Sequence, residues 1–340
     1  MQNYLYKLEF ETPVHFGSDI AGIGLENNSL NCHADTFFSA LCHEVLALNG
    51  ESELKEFIKD AQDGNFLISD LFPYNKSDLF LPKPFLLTDR KENNTQDEEN
   101  SSALKKKMKK LEFIPVTKWS KYIDFLKNGG KLPFEPEKFA ESELYSKVSI
   151  PRNDLDEDGK DQDNKLYSVG ANIFKDNCGL YFIVCLQNEE QKNKFDKIIT
   201  SLGYSGIGGK RTSGYGKFKL RDDTIELDYK NYAYESDKEL AILFNNTENP
   251  DYFMAMSCIF PSDKDKETDF HEGFYGLIPR QGFVSSSTYS DIPLKRNPLS
   301  MFNSGSCFKQ KLEGSIPDVS NNGKHPVYRY GKALMIGITL

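Results

Sequence analysis

No run of roughly 18 apolar residues occurs in this chain, so none of it is built to cross a bilayer as a helix. Its six cysteines (Cys32, Cys42, Cys178, Cys185, Cys258, Cys307) include no C-x-x-C pair. That scatter speaks against a zinc site and favours reduced, packed thiols over a disulfide framework. The start, MQNYLYKLEF, has no basic region followed by an apolar block and alternates apolar with polar positions. It reads as a first strand rather than a signal peptide, and a cytoplasmic location away from any membrane is expected. Positive charge is scarce too: 42 Lys and Arg stand against 51 Asp and Glu, a formal net charge of −9. An acidic total ordinarily argues against nucleic acid, but a phosphate chain responds to the local field. Residues 203–221 carry Lys210, Arg211, Lys217, Lys219 and Arg221 without one acid, a basic stripe on an acidic body.

At 340 residues, with 38% hydrophobic and 27% charged content, the chain has the size and composition of two globular domains. Tyr4, Tyr6, Leu8 and Phe10 alternate with Lys7, Glu9 and Glu11, the pattern of a half-buried strand ending before Pro13. A helix is expected over 35–48, with Phe37, Leu41, Val45 and Leu48 on one face, Asp35 as N-cap and Gly50 as stop. Residues 65–72 and 79–87 look extended, with Pro82 and Pro84 confining the second to an edge or an irregular segment. Residues 88–110, acids followed by lysines, have the composition of a mobile loop or interaction arm. KVSIPRND and KLYSVGANIF suggest a long hairpin, and CGLYFIVCLQ a buried strand. A second helix is expected over 189–202, closed by Gly203, and leads through the basic stretch to a strand at 217–221. Strand, helix, strands, helix, strand is the order of a βαββαβ, RRM-type ferredoxin-like unit with insertions. After residue 222, strand-like runs at 252–260, 274–284, 306–314 and 327–338 suggest a second such domain, with SDKELAILFN its one fair helix. The fold class is therefore α+β, two ferredoxin-like domains over 1–221 and 222–340, with a charged insertion at about 88–145.

The stretch GYSGIGGKRTSGYGKFKL (203–220) fails as a phosphate loop of the Walker type, because Lys210 is followed by Arg211 and Tyr204 stands where the first glycine belongs. It also fails as a dinucleotide fingerprint. Its glycines follow a helix and precede a strand, so no helix N-terminus meets a pyrophosphate. Glycine N–H groups with Lys210, Arg211, Thr212 and Ser213 instead suit a polynucleotide backbone, the competing reading being a loop of solvated bases.

FGSDIAGIGLENNSLNCHADTFFSALCHEV, joined to GYSGIGGKRTSGYGKF after the second helix, resembles the RAMP proteins of CRISPR systems. FLPKPFLL, VSIPRN, LIPRQGFV, FNSGSCF and HPVYRYGKAL narrow the resemblance to the Cas5-like subunits of type III-A interference complexes, across residues 4–338. What it implies is a capping subunit that grips the 5′ tag of the crRNA, docks the large polymerase-palm subunit, joins the backbone RAMP subunit and lies near target RNA beside the tag. It implies no cofactor, no metal and no catalysis. Carried over by position, Gly206, Gly208, Gly209, Lys210, Arg211, Thr212, Ser213 and Gly214 form the main RNA contact, with Lys217 following. Phe16, Gly17, His33, Asp35 and Thr36 lie beside them, and Tyr204 and Tyr215 are the stacking candidates. Arg152, Arg280, Lys295 and Arg296 add phosphate contacts, with surface ion pairs as the competing reading. The insertion is expected to hold a thumb-like hairpin reaching toward the guide:target duplex.

The alternative is a metal-independent endoribonuclease that processes precursor crRNA, with His15 or His33 as general acid or base and Lys210 at the transition state. Against it, His33 and Asp35 open a helix, where they can satisfy backbone N–H groups or each other. Cys32, His33, Cys42 and His43 do not form a metal site, because neighbours on a helix point about 100° apart.

Overall fold

The computed structural model describes residues 1–17, 24–86, 98–149, 165–246, 248–286 and 288–340. The first half builds an antiparallel sheet from β1 (Gln2–Phe10), β2 (Phe72–Asn75), β3 (Asp78–Pro82), β4 (Phe113–Pro115), β7 (Cys178–Leu186) and β8 (Phe218–Glu226), in the order β8-β1-β7-β2-β3-β4. Helix α1 (Ala34–Asp63) follows β1, and α4 (Glu189–Ser205) joins β7 to β8. The insertion contributes α2 (Glu98–Lys110) and α3 (Trp119–Asn128). Next comes a hairpin of β5 (Ala140–Ser149) and β6 (Lys165–Phe174).

Side chains of β7 alternate between two cores. Leu180, Phe182, Val184 and Leu186 pack with Tyr4, Tyr6 and Leu8 against Phe37 and Leu41 of α1 and Ile199 and Leu202 of α4. Tyr181, Ile183 and Cys185 face the other way with Leu5, toward Trp119 and Tyr122 of α3 and toward the second half of the chain. With both faces covered, β1 is buried from Tyr4 through Leu8, not half-buried. Lys7 is consequently only 2% exposed. Its ammonium lies 5.0 Å from the Tyr234 ring and 5.8 Å from that of Tyr74, and burial pushes its pKa down.

The second half holds α5 (Glu235–Asn245) and a sheet of β9 (Tyr252–Ala255), β12 (Cys307–Phe308) and β13 (Met335–Ile338) in the order β12-β9-β13. A ribbon pairs β10 (Leu277–Arg280) with β11 (Leu299–Phe302). These strands are shorter than the apolar runs suggest. The two halves also do not keep separate cores: Cys258, Ile278, Met301 and Tyr330 belong to the α1-side core, and Leu240, Met254 and Ile336 to the other.

Several local expectations are corrected. Helix α1 continues to Asp63 across a break at Gly50, where φ is +84° and ψ −174°. Its N-cap is His33, and the first amide is capped from outside: Ala34 N donates to Asp70 Oδ1 at 2.8 Å. Strand β3 is flanked by β2 and β4, with Pro82 at its last position. The lysine block is helical over Glu98–Lys110, consistent with basic side chains at a helix C-terminus. Helix α4 runs past Gly203 and stops at Gly206, φ +78°. Gly203 instead lets α4 approach β8, since a Cβ there would lie 2.5 Å from the Phe218 carbonyl oxygen. The long hairpin forms as expected, with its first strand starting earlier, at Ala140. The described part of the insertion before it holds α2, β4 and α3 rather than a hairpin of its own.

Candidate nucleic-acid interface

The glycine loop leaves α4 and folds onto the first strand's exit. Gly209 N donates to the His15 carbonyl at 2.8 Å, and Gly216 N to that of Pro13 at 2.8 Å. Ile207 N closes the loop on Gly216 O at 2.9 Å. At Gly208, φ is +89° and a Cβ would run into the His15 carbonyl; only glycine fits. Ser213 and Gly214 amides are likewise used internally. The glycines therefore serve close approach and left-handed turns more than the donation of amides to a ligand. What the loop presents is side chains: Lys210 and Arg211, half-buried, and Thr212 and Ser213, exposed. Lys210 Nζ lies 4.6 Å from the Tyr167 ring of the hairpin. The loop and the hairpin thus form one surface. Gly17 and Lys217 are exposed, and Tyr204 is 80% exposed at the end of α4, well placed to stack on a base.

Other expected contacts do not reach this surface. Phe16 is buried beneath the loop, and its ring packs edge-on to Phe10. Tyr215 is 7% exposed, with its ring against Tyr145 and under the Lys147 ammonium at 4.5 Å, so it anchors the hairpin and is not a free stacking platform. Lys219 pairs with Glu9 at 3.5 Å, which partly neutralises the basic stripe, and Arg221 Nη2 donates to Asn177 Oδ1 at 3.0 Å. Arg152 lies outside the described residues. Lys295 is exposed, with its ammonium over Phe283.

Asp35 is the hub of a buried ionic cluster and touches no surface. Arg280 Nε and Nη2 grip its carboxylate at 3.0 and 2.6 Å, and Arg329 Nη1 donates to the same group. Burial alone would raise the Asp35 carboxyl, but Arg280 and then Arg329 outweigh it and hold it well below the usual range. Arg280 Nη2 also donates to Thr36 Oγ1 at 2.8 Å. Arg280 is therefore an internal clamp between β10 and α1, neither a surface ion pair nor an open phosphate contact. Arg296 is half-buried; burial first, then Arg329, lowers its pKa to about 10. His43, on α1, is held below the usual histidine value by burial first, then by Arg211 and Arg296.

Both histidines of the nuclease alternative are buried and engaged. His15 Nδ1 donates to the Gly170 carbonyl at 2.7 Å, and His33 Nδ1 to Asp70 Oδ2 at 2.7 Å. Cys32, Cys42, His33 and His43 do not converge. Among the described residues, His33, Asp70 and Cys258 do come within 4.8 Å of one another. Asp70 Oδ1, however, already accepts the amides of Ala34 and Cys258, at 2.8 and 3.0 Å, and its Oδ2 accepts from His33 Nδ1. The trio is a hydrogen-bonded knot.

A RAMP superfamily model matches residues 7–219, and a model of the CRISPR Csm4 C-terminal domain matches 248–338. The chain belongs to the RAMP superfamily, in its Csm4 family. It is 29% identical to the CRISPR system Cms protein Csm4 of Mycobacterium tuberculosis, over 99% of this chain and 98% of the relative. With that of Streptococcus thermophilus it shares 30%, over 97% of each. Among solved structures its fold is similar to a Csm3-Csm4 subcomplex of the type III-A CRISPR-Cas interference complex (TM-score 0.64, 17% identity, 100% of both chains). It is also similar to a Csm1-Csm4 cassette in complex with cA4 (TM-score 0.58, 16% identity, 99% of this chain and 98% of the other).

Two features had no reading at the level of sequence. Arg329, inside HPVYRYG, alternates with Tyr328 and Tyr330 as any strand residue does, and nothing local marks it as 3% exposed. A cleft of about 1180 Å³ opens between the hairpin base and the second half, lined by Asn28, His33, Lys83, Phe85, Lys110 and Tyr275. These residues are scattered across the chain, so only folding assembles them.

Proposed function

We propose that this chain is the RNA-binding capping subunit of a type III-A CRISPR complex, gripping the 5′ tag of the crRNA without cutting it. The observation that carries this reading is the Gly209–His15 bridge, which presents Lys210, Arg211, Thr212 and Ser213 on one surface with Gly17 and the hairpin. Cations on a polar turn supply phosphate attraction, and exposed Tyr204 a base-stacking face. The solved neighbours pair Csm4 with Csm3 and with Csm1, which supports a backbone subunit and a large subunit as partners here. Target RNA beside the tag would meet the hairpin, where Leu144 and Leu166 are 61% and 79% exposed. In fold, the order β8-β1-β7-β2 with α1 and α4 on one face supports a ferredoxin-like first unit; the second, with one helix beside a three-stranded sheet, is read as a reduced copy. No described helix is long and apolar enough to cross a membrane.

The test is to recover the chain with its complex and sequence the bound RNA. Short RNAs sharing one 5′ end are expected. Lys210→Ala with Arg211→Ala should weaken binding of single-stranded repeat RNA and lower the slope of log affinity against log salt by about 2. An unchanged affinity and slope would refute the grip. Metal-free cleavage of repeat RNA that vanishes in His33→Ala would establish the nuclease instead.

A further inference from the structure

At the head of α1, Arg280 and Arg329 both bind Asp35. Arg296 holds no carboxylate among the described residues but lies beside them: its amide bonds Gly282, two residues on from Arg280, and the next amide, Asn297 N, bonds Val319, two residues on from the Pro317 carbonyl that accepts Arg329 N. One carboxylate thus stands among three guanidiniums, the neighbouring Asp70 being engaged by His33. Arg329 is 3% exposed, yet among the described residues its Nε and Nη2 have no hydrogen-bond partner, and neither has Arg296 Nε. Buried N–H groups of charged side chains are almost always paired, because desolvation without a partner is costly. A deficit of both acceptors and negative charge at one place is the signature of a missing anion. The arginines are also firmly positioned. Arg329 N donates to the Pro317 carbonyl at 3.0 Å, and the adjoining Tyr330 ring packs on Phe38 of α1 at 5.1 Å. Arg296 N donates to the Gly282 carbonyl at 2.9 Å.

We infer that Arg296 and Arg329, backed by the Arg280–Asp35 pair, form a seat for one phosphate group, and that in the RNA-bound chain a backbone phosphodiester of the RNA fills it. A tetrahedral oxyanion offers several acceptor oxygens, so it can take diverging N–H bonds from two guanidiniums at once. Arg296 is half-buried and Arg329 closed off, so an anion arriving from solvent would meet Arg296 first. An RNA strand held in the seat would be gripped there as well as at the glycine loop. The choice of RNA as the phosphate's source rests on the proposed RNA grip; the seat itself does not.

The experiment compares the full-length chain with Arg296→Gln, which removes a guanidinium that holds no acid of its own, and with Arg329→Lys, which keeps charge but loses the fork. Inorganic phosphate, against chloride of equal ionic strength, is expected to raise the melting temperature of the unsubstituted chain and of neither variant. Arg296→Gln is also expected to weaken repeat-RNA binding about tenfold and lower its salt slope by about 1. Phosphate stabilisation with RNA affinity unmoved by Arg296→Gln would overturn the RNA source and leave a free phosphate or nucleotide as the ligand. No phosphate effect and no loss of RNA affinity would overturn the seat. In that case loss of RNA binding on changing Lys210 and Arg211 still upholds the loop, so the two readings fail separately.

Discussion

Asp35 shows how one side chain changes meaning when the chain folds. At the head of a helix it reads as a cap or a ligand contact, yet its carboxylate ties α1 to Arg280 and Arg329, residues hundreds of positions away in sequence. Removing its charge leaves buried guanidiniums unpaired, so Asp35→Asn is expected to lose roughly 3–5 kcal/mol in denaturant unfolding. The pH dependence has a definite sign. A carboxyl held below its unfolded value contributes stability that is complete above the ordinary carboxylate range, around pH 4, and is lost as pH falls toward the folded value. The unsubstituted chain should therefore weaken on acidification below that range, and the Asn variant should lose the part of this dependence that Asp35 supplies.

Among the elements, the glycine loop and the hairpin matter together, because Lys210 of the loop lies over Tyr167 of the hairpin and Tyr215 packs against Tyr145. Two glycines separate the reasons for glycine. Gly208 has φ +89° and the His15 carbonyl where a Cβ would go, whereas Gly214 has φ +85° with open space around it. Gly214→Ala should cost only the left-handed backbone penalty, about 1 kcal/mol, and keep RNA binding. Gly208→Ala should cost more than about 2 kcal/mol and displace the Lys210–Arg211 turn, lowering RNA affinity as well as melting temperature. Equal effects of the two substitutions would mean that the loop does not depend on its contact with His15.

Seen whole, the molecule is two sequence segments over shared cores. One face of the central sheet is covered partly by Leu240, Met254 and Ile336, and the other core takes in Tyr330. A fragment of residues 1–221 would expose the sheet face that carries Leu5, Tyr181 and Ile183. It is expected to be insoluble or unfolded when expressed alone, while the full chain melts in one calorimetric transition. Two independent transitions would show that each segment folds on its own core.

Local physics was legible in the residues themselves. Period-two alternation marked β1, helical spacing marked α1 and α4, and the clustering of glycines with bases marked the loop, since each is read from neighbours a few residues apart. The family resemblance was legible for the same reason. What the glycines are for, close approach to His15, was not. Burial on both faces of β1, the engagement of His15 and His33, and the capture of Arg280 by Asp35 were settled only in three dimensions. They depend on which distant segment lies alongside: a Lys7 or an Arg329 looks solvent-bound until another layer of the protein takes the water away.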